Sequence, residues 1–341
     1  MASCSELIPP SFRQGAQIAA DALQTLADPL IATHVRPDGD AIGALLACGF
    51  IEQGLGHNFA LYAPDGIPEY LSFLERPGPV YRSLAEIPFA PQSAIFLDLS
   101  DPARLGPELA ARYANWSSLN IDHHVCEQGL GSAANYISAD AAAACQLVAY
   151  AADALGLTLA PPLGAAIATG ILTDTGNYTH ANISGPIFCL SAELENNGVR
   201  IADIGAQLRS GWSLNRMKLW GYLFMRAKQS QHGLIAWSLI SEDDLTSYGC
   251  HAEDLEGYID WLGRLRGVQI AFTLRETRER GSGGEQIVSR LSMRSKGDFN
   301  AREICLALGG GGHKYASGAT IAGPPMQALP QVLQAIEHYL A

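Results

Sequence analysis

Short apolar runs alternate with helical apolar spacing through the first half of the chain. The strand-like runs are "LIATH" (30–34), "NFALYA" (58–63), "SAIFLDL" (93–99) and "SSLNIDHH" (117–124). Helical spacing marks residues 12–27, 40–56 and 141–155. Strands that alternate with helices favour a mainly parallel, doubly wound sheet with helices on both faces. The helix over 40–56 is expected to begin with Asp40 as its amino-terminal cap and to end on a glycine.

The pattern changes in the second half of the chain. A helical region with several Arg and Lys residues covers 186–230 and is most simply a connection between domains. Strand-like runs follow at 233–240, 267–276 and 285–295, and helical segments lie near 253–265, 300–308 and 325–340. A glycine-rich stretch at 277–284 predicts a hairpin between the last two strands. We therefore predict an α/β protein with two domains, over 1–185 and 231–341, joined by a helical linker over 186–230.

Charge is distributed unevenly over this organisation. The chain has 341 residues, of which 16% are charged, and its net charge is −12. Residues 1–190 carry 18 Asp and Glu against 6 Lys and Arg, whereas residues 191–341 carry 16 of each kind, so the entire excess lies in the first part. An acidic surface on this first part would repel nucleic-acid phosphates unless cations mediate the contact. Long duplex DNA is therefore not an expected partner.

The cysteines and the amino terminus suggest a cytoplasmic protein. Seven cysteines are scattered without a CxxC pair, so we expect small buried hydrophobic residues in a reducing cytosol rather than a zinc site or a disulfide framework. The first residues show no secretory signal, and the longest apolar stretch, 41–51, is too short to span a bilayer. No membrane association is expected.

Aspartate and histidine recur in four stretches that otherwise have an apolar context. The stretches are "HVRPDGD" (34–40), "FLDLSD" (96–101), "NIDHH" (120–124) and "GILTDTGNY" (170–178). Taken alone, an Asp at a strand end is most often a helix cap, and a lone His is usually a hydrogen-bonded surface or core residue. Ligands in parallel sheets, however, sit at the carboxyl ends of the strands, and His34, Asp98 and Asp122 each fall at or just after such an end. Four such clusters at one sheet edge require cations, and Asp with His suits Mn²⁺ or Mg²⁺.

These four stretches, in this order, resemble motifs I to IV of the DHH phosphoesterase superfamily, whose name is the "DHH" at 122–124. The later stretch "GGGGHKYASGA" (309–319) resembles the glycine-rich signature of the DHH-associated second domain. Together with "SMRSKGDFN" (292–300), the set is similar to the nano-RNase and pAp-phosphatase branch, which also includes phosphodiesterases for linear pApA. The resemblance covers nearly the whole chain.

The resemblance implies two divalent ions, usually Mn²⁺. Matching the motifs gives one ion the ligands His34, Asp38 and Asp98, and gives the other Asp40, Asp98, His123 and Asp174. Asp98 then bridges, and four aspartates balance the charge of two divalent ions. Asp122 is expected to orient a ligand or to close the strand end, and His124 to face the nucleophile or the scissile phosphate. Asp98 and His124 are thus the expected catalytic residues.

Two positions depart from the pattern of the family. Ala44 stands where many relatives have serine, and "GNYTHANIS" (176–184) departs from the arginine–aromatic sequence usual after motif IV. Neither departure touches an expected metal ligand, but the second puts base recognition in doubt.

The second domain is expected to choose the substrate. Four consecutive glycines make little sense in a regular strand or helix, and their use is a close backbone approach to a ligand with amides turned toward phosphate. The expected clamp for a terminal phosphate and its sugar is formed by Arg294, Lys296, Asn300, Gly310, Gly311, Gly312 and His313. Tyr178 is expected either to stack on a base or to be a packed tyrosine.

The expected activity is metal-dependent hydrolysis of short RNA of two to five nucleotides, or of pAp, by in-line attack of hydroxide. Linear pApA is the alternative substrate. A pyrophosphatase is disfavoured by the glycine signature, and an exopolyphosphatase by the lack of a long basic track. A nucleotide sensor without activity is disfavoured because every expected ligand is present. Preference among the three substrates, Mn²⁺ against Mg²⁺, and a homodimer against a monomer stay open at the level of sequence.

Overall fold

The structure, a computed structural model, describes residues 7–126, 128–210, 212–281 and 284–340. The chain divides into two compact units, over 1–211 and 212–341. The first unit contains a six-stranded sheet in the order β3-β2-β1-β4-β5-β6, and every pairing in it is parallel. Its strands are β1 (Pro29–Ala32), β2 (Ala60–Tyr62), β3 (Val80–Tyr81), β4 (Ser93–Leu97), β5 (Ser117–Asp122) and β6 (Ala134–Ile137). The prediction of a parallel, doubly wound sheet is confirmed.

Helices cover the two faces of this sheet unequally. They are α1 (Pro10–Thr25), α2 (Gly39–Leu55), α3 (Pro107–Ala110), α4 (Ala144–Ala154), α5 (Leu163–Asp174), α6 (Gly185–Asn196) and α7 (Ile201–Arg209). Successive strand residues point to opposite faces. Ile31 therefore joins the large core with the long helices, whereas Leu30 joins a smaller core with Leu105 and Leu109, which lie in or beside α3. The second face is thus covered by short helical turns rather than by full helices.

The start of α2 differs from the prediction. The amino-terminal cap is Asp38, whose Oδ1 atom accepts the backbone amides of Asp40 and Ala41, so the predicted cap at Asp40 is wrong. Asp40 lies in the first turn of α2, and its side chain does not cap this helix. The carboxyl end is as expected, because Gly56 ends the helix with a φ of 75°.

The second unit contains a mixed sheet in the order β11-β12-β10-β9-β8-β7. Its strands are β7 (Lys228–Gln229), β8 (Ile235–Ile240), β9 (Ile270–Gly281), β10 (Gly284–Ser295), β11 (Gly311–Gly312) and β12 (Ala316–Ala322). The helices are α8 (Leu214–Arg226), α9 (Glu242–Ser247), α10 (Tyr258–Leu262), α11 (Ala301–Leu306) and α12 (Pro325–Leu340). Strands β9 and β10 pair as the predicted antiparallel hairpin, whose tip residues Ser282 and Gly283 lie outside the described part. Two cores, one with α11 and α12 and one with α8 and α10, make this an α/β unit as predicted.

The glycine run has a structural function in the second unit. Gly311 and Gly312 form β11, which pairs with Gly318 and Ser317 of β12, so the expectation that these glycines avoid a regular strand is wrong for two of them. A Cβ atom on Gly310 would lie 2.1 Å from the carbonyl oxygen of Gly318. Glycine is needed there because one backbone passes directly against another.

One prediction about the cysteines is also wrong. Cys189 is disulfide-bonded, against the expectation of reduced thiols throughout. The thiols at positions 48, 145, 250 and 305 are free and buried, and Cys126 is free and half-buried. Every helix in the described ranges is too short or too polar to cross a lipid bilayer.

Candidate metal centre

Two central strands of the parallel sheet deliver the first candidate ligands. Strands β1 and β4 are neighbours in the sheet, and the chain leaves them in opposite lateral directions, to β2 on one side and β5 on the other. Such a switch point opens a crevice at the carboxyl ends of the strands. His34 follows β1 and Asp98 follows β4, and the His34 Nε2 atom lies 3.3 Å from the Asp98 Oδ2 atom. The expected placement at the strand ends is therefore what the structure has.

Asp40 is held by a helix that lies distant in sequence. Its buried carboxylate accepts the backbone amides of Ala144 at 2.6 Å and Cys145 at 2.9 Å. These are the first residues of α4, whose own cap residue, Ala143, supplies no side-chain hydrogen bond. The Asp40 carboxylate therefore caps α4, and the positive end of the α4 dipole stabilises its negative charge.

His34 indicates a cation by its hydrogen bonds. Its Nδ1 atom lies 2.9 Å from the backbone carbonyl oxygen of Val35, which can only accept, so Nδ1 carries the proton. In the neutral ring, the lone pair of Nε2 then faces a carboxylate oxygen of Asp98. Two lone pairs at this distance repel unless a proton or a metal ion lies between them. A backbone carbonyl that fixes the tautomer in this way is typical of metal-binding histidines.

Asp98 is common to three groups of donor atoms. The groups are His34, Asp38 and Asp98; Asp40, Asp98 and His123; and Asp98, Asp122 and His124, each with its ligand atoms within 4.8 Å of one another. The Oδ1 atom of Asp98 is buried without a geometrically acceptable hydrogen bond, 3.4 Å from the Nε2 atom of His123. An unsatisfied buried carboxylate oxygen costs stability, and a cation would satisfy it.

Asp174 joins the second of these groups from the end of α5. Its Oδ2 atom lies 3.2 Å from the Nε2 atom of His123, which is also 3.7 Å from the Oδ2 atom of Asp40. The structure thus brings together all six residues expected as ligands, His34, Asp38, Asp40, Asp98, His123 and Asp174.

Electrostatics shows why this cluster suits divalent ions. Burial, and then the charge of Asp98, raises the pKa of Asp40 to about 6. Burial and the charge of Asp40 raise the pKa of Asp174 well above its ordinary value. Burial alone would also raise the pKa of Asp98, but the imidazoles of His123 and His34, whose Nε2 atoms lie 3.4 and 3.3 Å from its two carboxylate oxygens, outweigh burial and hold that pKa well below the usual range. Without a cation the cluster must hold protons, so carboxylate and imidazole donors here fit hard divalent ions such as Mn²⁺ or Mg²⁺.

His124 is oriented by Asp122. The His124 Nδ1 atom lies 2.7 Å from the Asp122 Oδ1 atom, and the backbone amide of His124 donates to the same oxygen. Burial lowers the pKa of His124, but the hydrogen bond to Asp122 and the charges of Asp98 and Asp122 raise it more. The carboxylate of Asp122 thus fixes the ring and favours its protonated form.

Sequence reasoning missed two polar side chains that support these residues. Asn120, buried in the middle of β5, donates to the carbonyl oxygens of Phe96 and Leu99 and so fixes the turn that carries Asp98. The hydroxyl of Ser100 donates to the Asp122 carboxylate. An Asn between the apolar residues Leu119 and Ile121 was the available sequence signal for Asn120, whereas Ser100 had no such signal.

Residues of the expected clamp lie near one end of the second sheet. Arg294 is opposite Ala316 in the pairing of β10 with β12, and His313 donates its backbone amide to the carbonyl oxygen of Ala316. The Arg294 Nε atom also donates to Asp260 at 3.1 Å, and the Lys296 ammonium donates to the carbonyl oxygen of Gly263. Asn300 caps α11 by accepting two backbone amides, a function that the sequence did not predict.

Tyr178 is packed inside the first unit. Its hydroxyl lies 2.8 Å from the hydroxyl of Ser191, and its ring stacks on Phe188 with centroids 5.8 Å apart. Both rings line an open groove of about 470 Å³ between α5, α6 and α7. Tyr178 is thus packed against α6 on one side and half-buried, and its predicted contact with a base stays a prediction.

Comparisons with known proteins agree with these motifs. Residues 29–171 match the family model described as the DHH family, N-terminal domain, and residues 236–341 match the DHHA1 domain. A curated relative, the bifunctional oligoribonuclease and PAP phosphatase NrnA of Thermus thermophilus, is 30% identical over 333 residues, which cover 97% of this chain and 96% of the relative. The protein of the same name from Mycoplasma pneumoniae is 26% identical over 318 residues, covering 89% of this chain and 90% of the relative.

The fold has a solved counterpart. The structure of an exopolyphosphatase-related protein from Bacteroides fragilis superposes with a TM-score of 0.83 at 22% identity, covering 97% of this chain and 98% of that one. At this identity the likeness shows a common fold. Because identity to the Thermus protein extends over both units, and the DHH and DHHA1 models match in the expected order, the chain belongs to the DHH superfamily of phosphoesterases and, within it, to the NrnA type.

Proposed function

We propose that this chain hydrolyses short oligoribonucleotides, two to five nucleotides long, and pAp, with Mn²⁺ as its preferred ion and Mg²⁺ as the alternative. The observation that carries the proposal is Asp98, a buried carboxylate shared by three groups of donor atoms. The oligoribonuclease and PAP phosphatase activities in the names of the two curated relatives support the choice of substrate. Five cysteines of the described residues are free thiols, as is typical of a reducing compartment, and we propose that the chain acts in the cytoplasm.

In this proposal two ions share the cluster. One would be held by His34, Asp38 and Asp98, and the other by Asp40, Asp98, His123 and Asp174. Divalent ions bound there would supply Lewis-acid activation of water and neutralise the charge of the phosphate. The donor set fits because burial and neighbouring carboxylates raise the pKa values of Asp40 and Asp174, whereas the imidazoles of His123 and His34 hold the pKa of Asp98 low.

His124 is the proposed proton donor or phosphate contact. The Asp122 carboxylate holds the Nδ1 proton, so Nε2 is the atom that would serve the scissile phosphate or the leaving oxygen. The raised pKa of His124, which the hydrogen bond to Asp122 and the charge of Asp98 cause, favours a proton on that atom.

The proposed division of labour places the chemistry in 1–185 and substrate choice in 231–341, with 186–230 connecting them. We propose Arg294, Lys296, Asn300, Gly310, Gly311, Gly312 and His313 as the substrate-binding residues of the second part. Their support is that Arg294 and His313 lie at the same end of the sheet formed by β10, β11 and β12. Tyr178 stays a proposed base contact of the first part.

A substrate panel tests the proposed function. Protein stripped with a chelator should be inactive on dinucleotides, pAp and linear pApA, and Mn²⁺ should restore turnover more fully than Mg²⁺. Comparison of kcat/KM over the panel then ranks the substrates. Full turnover by thoroughly stripped protein would contradict the metal-dependent mechanism.

Two substitutions separate metal binding from proton transfer. Asp98→Ala should remove both bound metal and activity, because each proposed ion loses a shared ligand. His124→Ala should retain the metal content while kcat falls by about 10²- to 10⁴-fold, the usual contribution of a general acid. Metal analysis of both purified variants is the measurement, and an empty site in His124→Ala would show that His124 is a ligand instead.

A further inference from the structure

Two carboxylates of the proposed centre are positioned by separate backbone segments. Asp40 is held through the amides of Ala144 and Cys145, so its place depends on where the start of α4 lies. Asp174 is the last residue of α5 and is carried directly by the end of that helix. The Nε2 atom of His123 lies within 3.7 Å of a carboxylate oxygen of each. The spacing between these two segments therefore sets the size of this part of the pocket.

The side chain of Asn182 joins the two segments. Its Nδ2 atom donates to the carbonyl oxygen of Ala142 at 2.9 Å and to that of Asp174 at 3.1 Å. A primary amide has two N–H groups, which is the number needed to bridge two carbonyl oxygens. His180 adds a second donor to the carbonyl oxygen of Asp174, at 3.1 Å through Nδ1.

The loop that carries Asn182 has a defined conformation. Gly176, Asn177 and Tyr178 all have a positive φ, between 54° and 60°. The amides of Thr179 and His180 both donate to the carbonyl oxygen of Thr175, which closes the loop on the end of α5. The loop therefore brings Asn182 back to Asp174, the last residue of α5, where the loop begins.

We propose that Asn182 is a positioning residue for the metal centre: by bridging Ala142 and Asp174 it fixes the distance between the Asp40 and Asp174 carboxylates and thereby the affinity of the pocket for a divalent ion. The proposal rests on the proposed function. Asn182 is exposed, so its two hydrogen bonds add little to folding. Metal affinity is far more sensitive to geometry, and loss of a group that orients a ligand usually weakens binding by about 10- to 100-fold.

Three variants test the role of Asn182 by calorimetric titration of Mn²⁺ into chelator-stripped protein. Asn182→Ala should bind Mn²⁺ about tenfold more weakly than the unaltered chain, the lower end of that range because the residue is exposed. Asn182→Asp keeps the shape but cannot donate, so it should also bind more weakly. This outcome is diagnostic, since an added negative charge near a cation would by itself strengthen binding.

The matched control is Asn197→Ala. Asn197 also caps a helix through Nδ2, at the end of α6, but both of its bonds go to Glu193, at 2.9 and 2.7 Å. This variant should bind Mn²⁺ as the unaltered chain does. Urea unfolding of the stripped proteins should give the same midpoint for Asn182→Ala and the unaltered chain. Asn182→Ser, which keeps one donor, should give intermediate affinity and serves in its place if Asn182→Ala does not fold.

Three results would overturn the inference. Unchanged affinity in Asn182→Ala, or in Asn182→Ser when that variant replaces it, would show that the bridge does not control the pocket. An equal loss in Asn197→Ala would show a general effect of losing a helix cap. A stronger affinity in Asn182→Asp would show that charge outweighs position. If the unaltered chain takes up no Mn²⁺, the proposed function fails together with the inference, whereas binding that is indifferent to Asn182 removes the inference alone.

Discussion

Asp98 combines several unfavourable features in one residue. Its backbone has a φ of 56°, in the left-handed region that costs a non-glycine residue about 1–2 kcal/mol. One of its carboxylate oxygens is also buried without a hydrogen bond. Strain of this kind persists where the surrounding structure imposes it and is concentrated at functional sites. At the residue scale, the backbone and the carboxylate of Asp98 both lower stability, which is the pattern expected of a residue kept for a functional site.

Glu52 is a second buried carboxylate, and it lies outside the proposed centre. Its Oε2 atom is 2.7 Å from the Nδ1 atom of His57, and its Oε1 atom has no hydrogen bond. Burial raises the pKa of Glu52 to about 7, although His57 partly opposes the shift. Because the folded state raises this pKa above its ordinary value of 4.5, the protonated form is favoured, and stability is lost as pH rises through about 7.

Glu52→Gln should remove this pH dependence. The variant stays neutral, so it should equal the unaltered chain below pH 5 and exceed it at pH 8 by on the order of 2 kcal/mol in the free energy of unfolding. Urea unfolding of both chelator-treated proteins at the two pH values is the measurement. An identical difference at both would mean that the pKa of Glu52 is not raised.

At the scale of elements, the glycine run over 309–312 contains one position, Gly310, where packing requires glycine, and another, Gly311, where it does not. A Cβ atom on Gly310 would strike the backbone of β12, whereas one on Gly311 would meet nothing within 4 Å. Gly310→Ala should therefore lower the free energy of unfolding by about 1–3 kcal/mol, the usual cost of overpacking. Gly311→Ala is the control and should change it by less than about 0.5 kcal/mol. Equal losses would indicate that the short strand tolerates no side chain at either position.

Helices and strands with a strong periodicity of apolar residues were predictable from sequence, but the residues at which they begin and end were not. Buried strands such as β4 and β5 appeared as apolar runs, and α2 as a long apolar helix closed by glycine. The cap at Asp38 was missed because two aspartates compete for it, and only the capture of Asp40 by α4 decides between them. Strand β12 was missed because its small residues resemble a loop until they are paired with β10.

The candidate site was predictable to the extent that its residues occur in local motifs. His34, Asp98 and Asp122 could be located by their places at or just after the ends of strands. The hydrogen bonds of Asn120 and Asn182 join residues 8 to 40 positions apart, and no local pattern contains them. The disulfide at Cys189 was likewise invisible, since composition alone favoured free thiols.

At the scale of the whole molecule, the two parts of the chain differ in how they can approach a phosphate. The whole net charge of −12 lies in residues 1–190, so this part needs cations before it can hold an anion. The remainder has balanced charge and can offer Arg294 and His313 directly. Recognition of a remote phosphate and cleavage of the scissile one should therefore respond to different substitutions.

Arg294→Ala and His313→Ala should impair 5′-phosphorylated dinucleotides selectively. Loss of one charge-assisted contact costs about 1.5–3 kcal/mol, so kcat/KM should fall by roughly tenfold to somewhat over a hundredfold. Bis-p-nitrophenyl phosphate has no remote phosphate and should be hydrolysed as before. The control is Arg290→Ala on the same strand, where the side chain is bound to Glu279 and Thr320. An equal fall for both substrates would show that Arg294 and His313 serve the chemistry or the fold.

The parallel sheet that carries the proposed metal ligands also determines when in folding these residues can come together. His34 and Asp98 are 64 positions apart, and Asp40 takes its amides from residues more than 100 positions further on. Contacts between residues this far apart in sequence form slowly, because the entropy cost of closing a long loop comes before the contact can stabilise the fold. A nascent chain must therefore be synthesised through Asp174 before the full donor set exists, and the early folding steps proceed against the mutual repulsion of the aspartates. On the proposed function, we therefore expect metal capture to be a late event in the biogenesis of this protein, because the proposed donor set needs a nearly complete first unit.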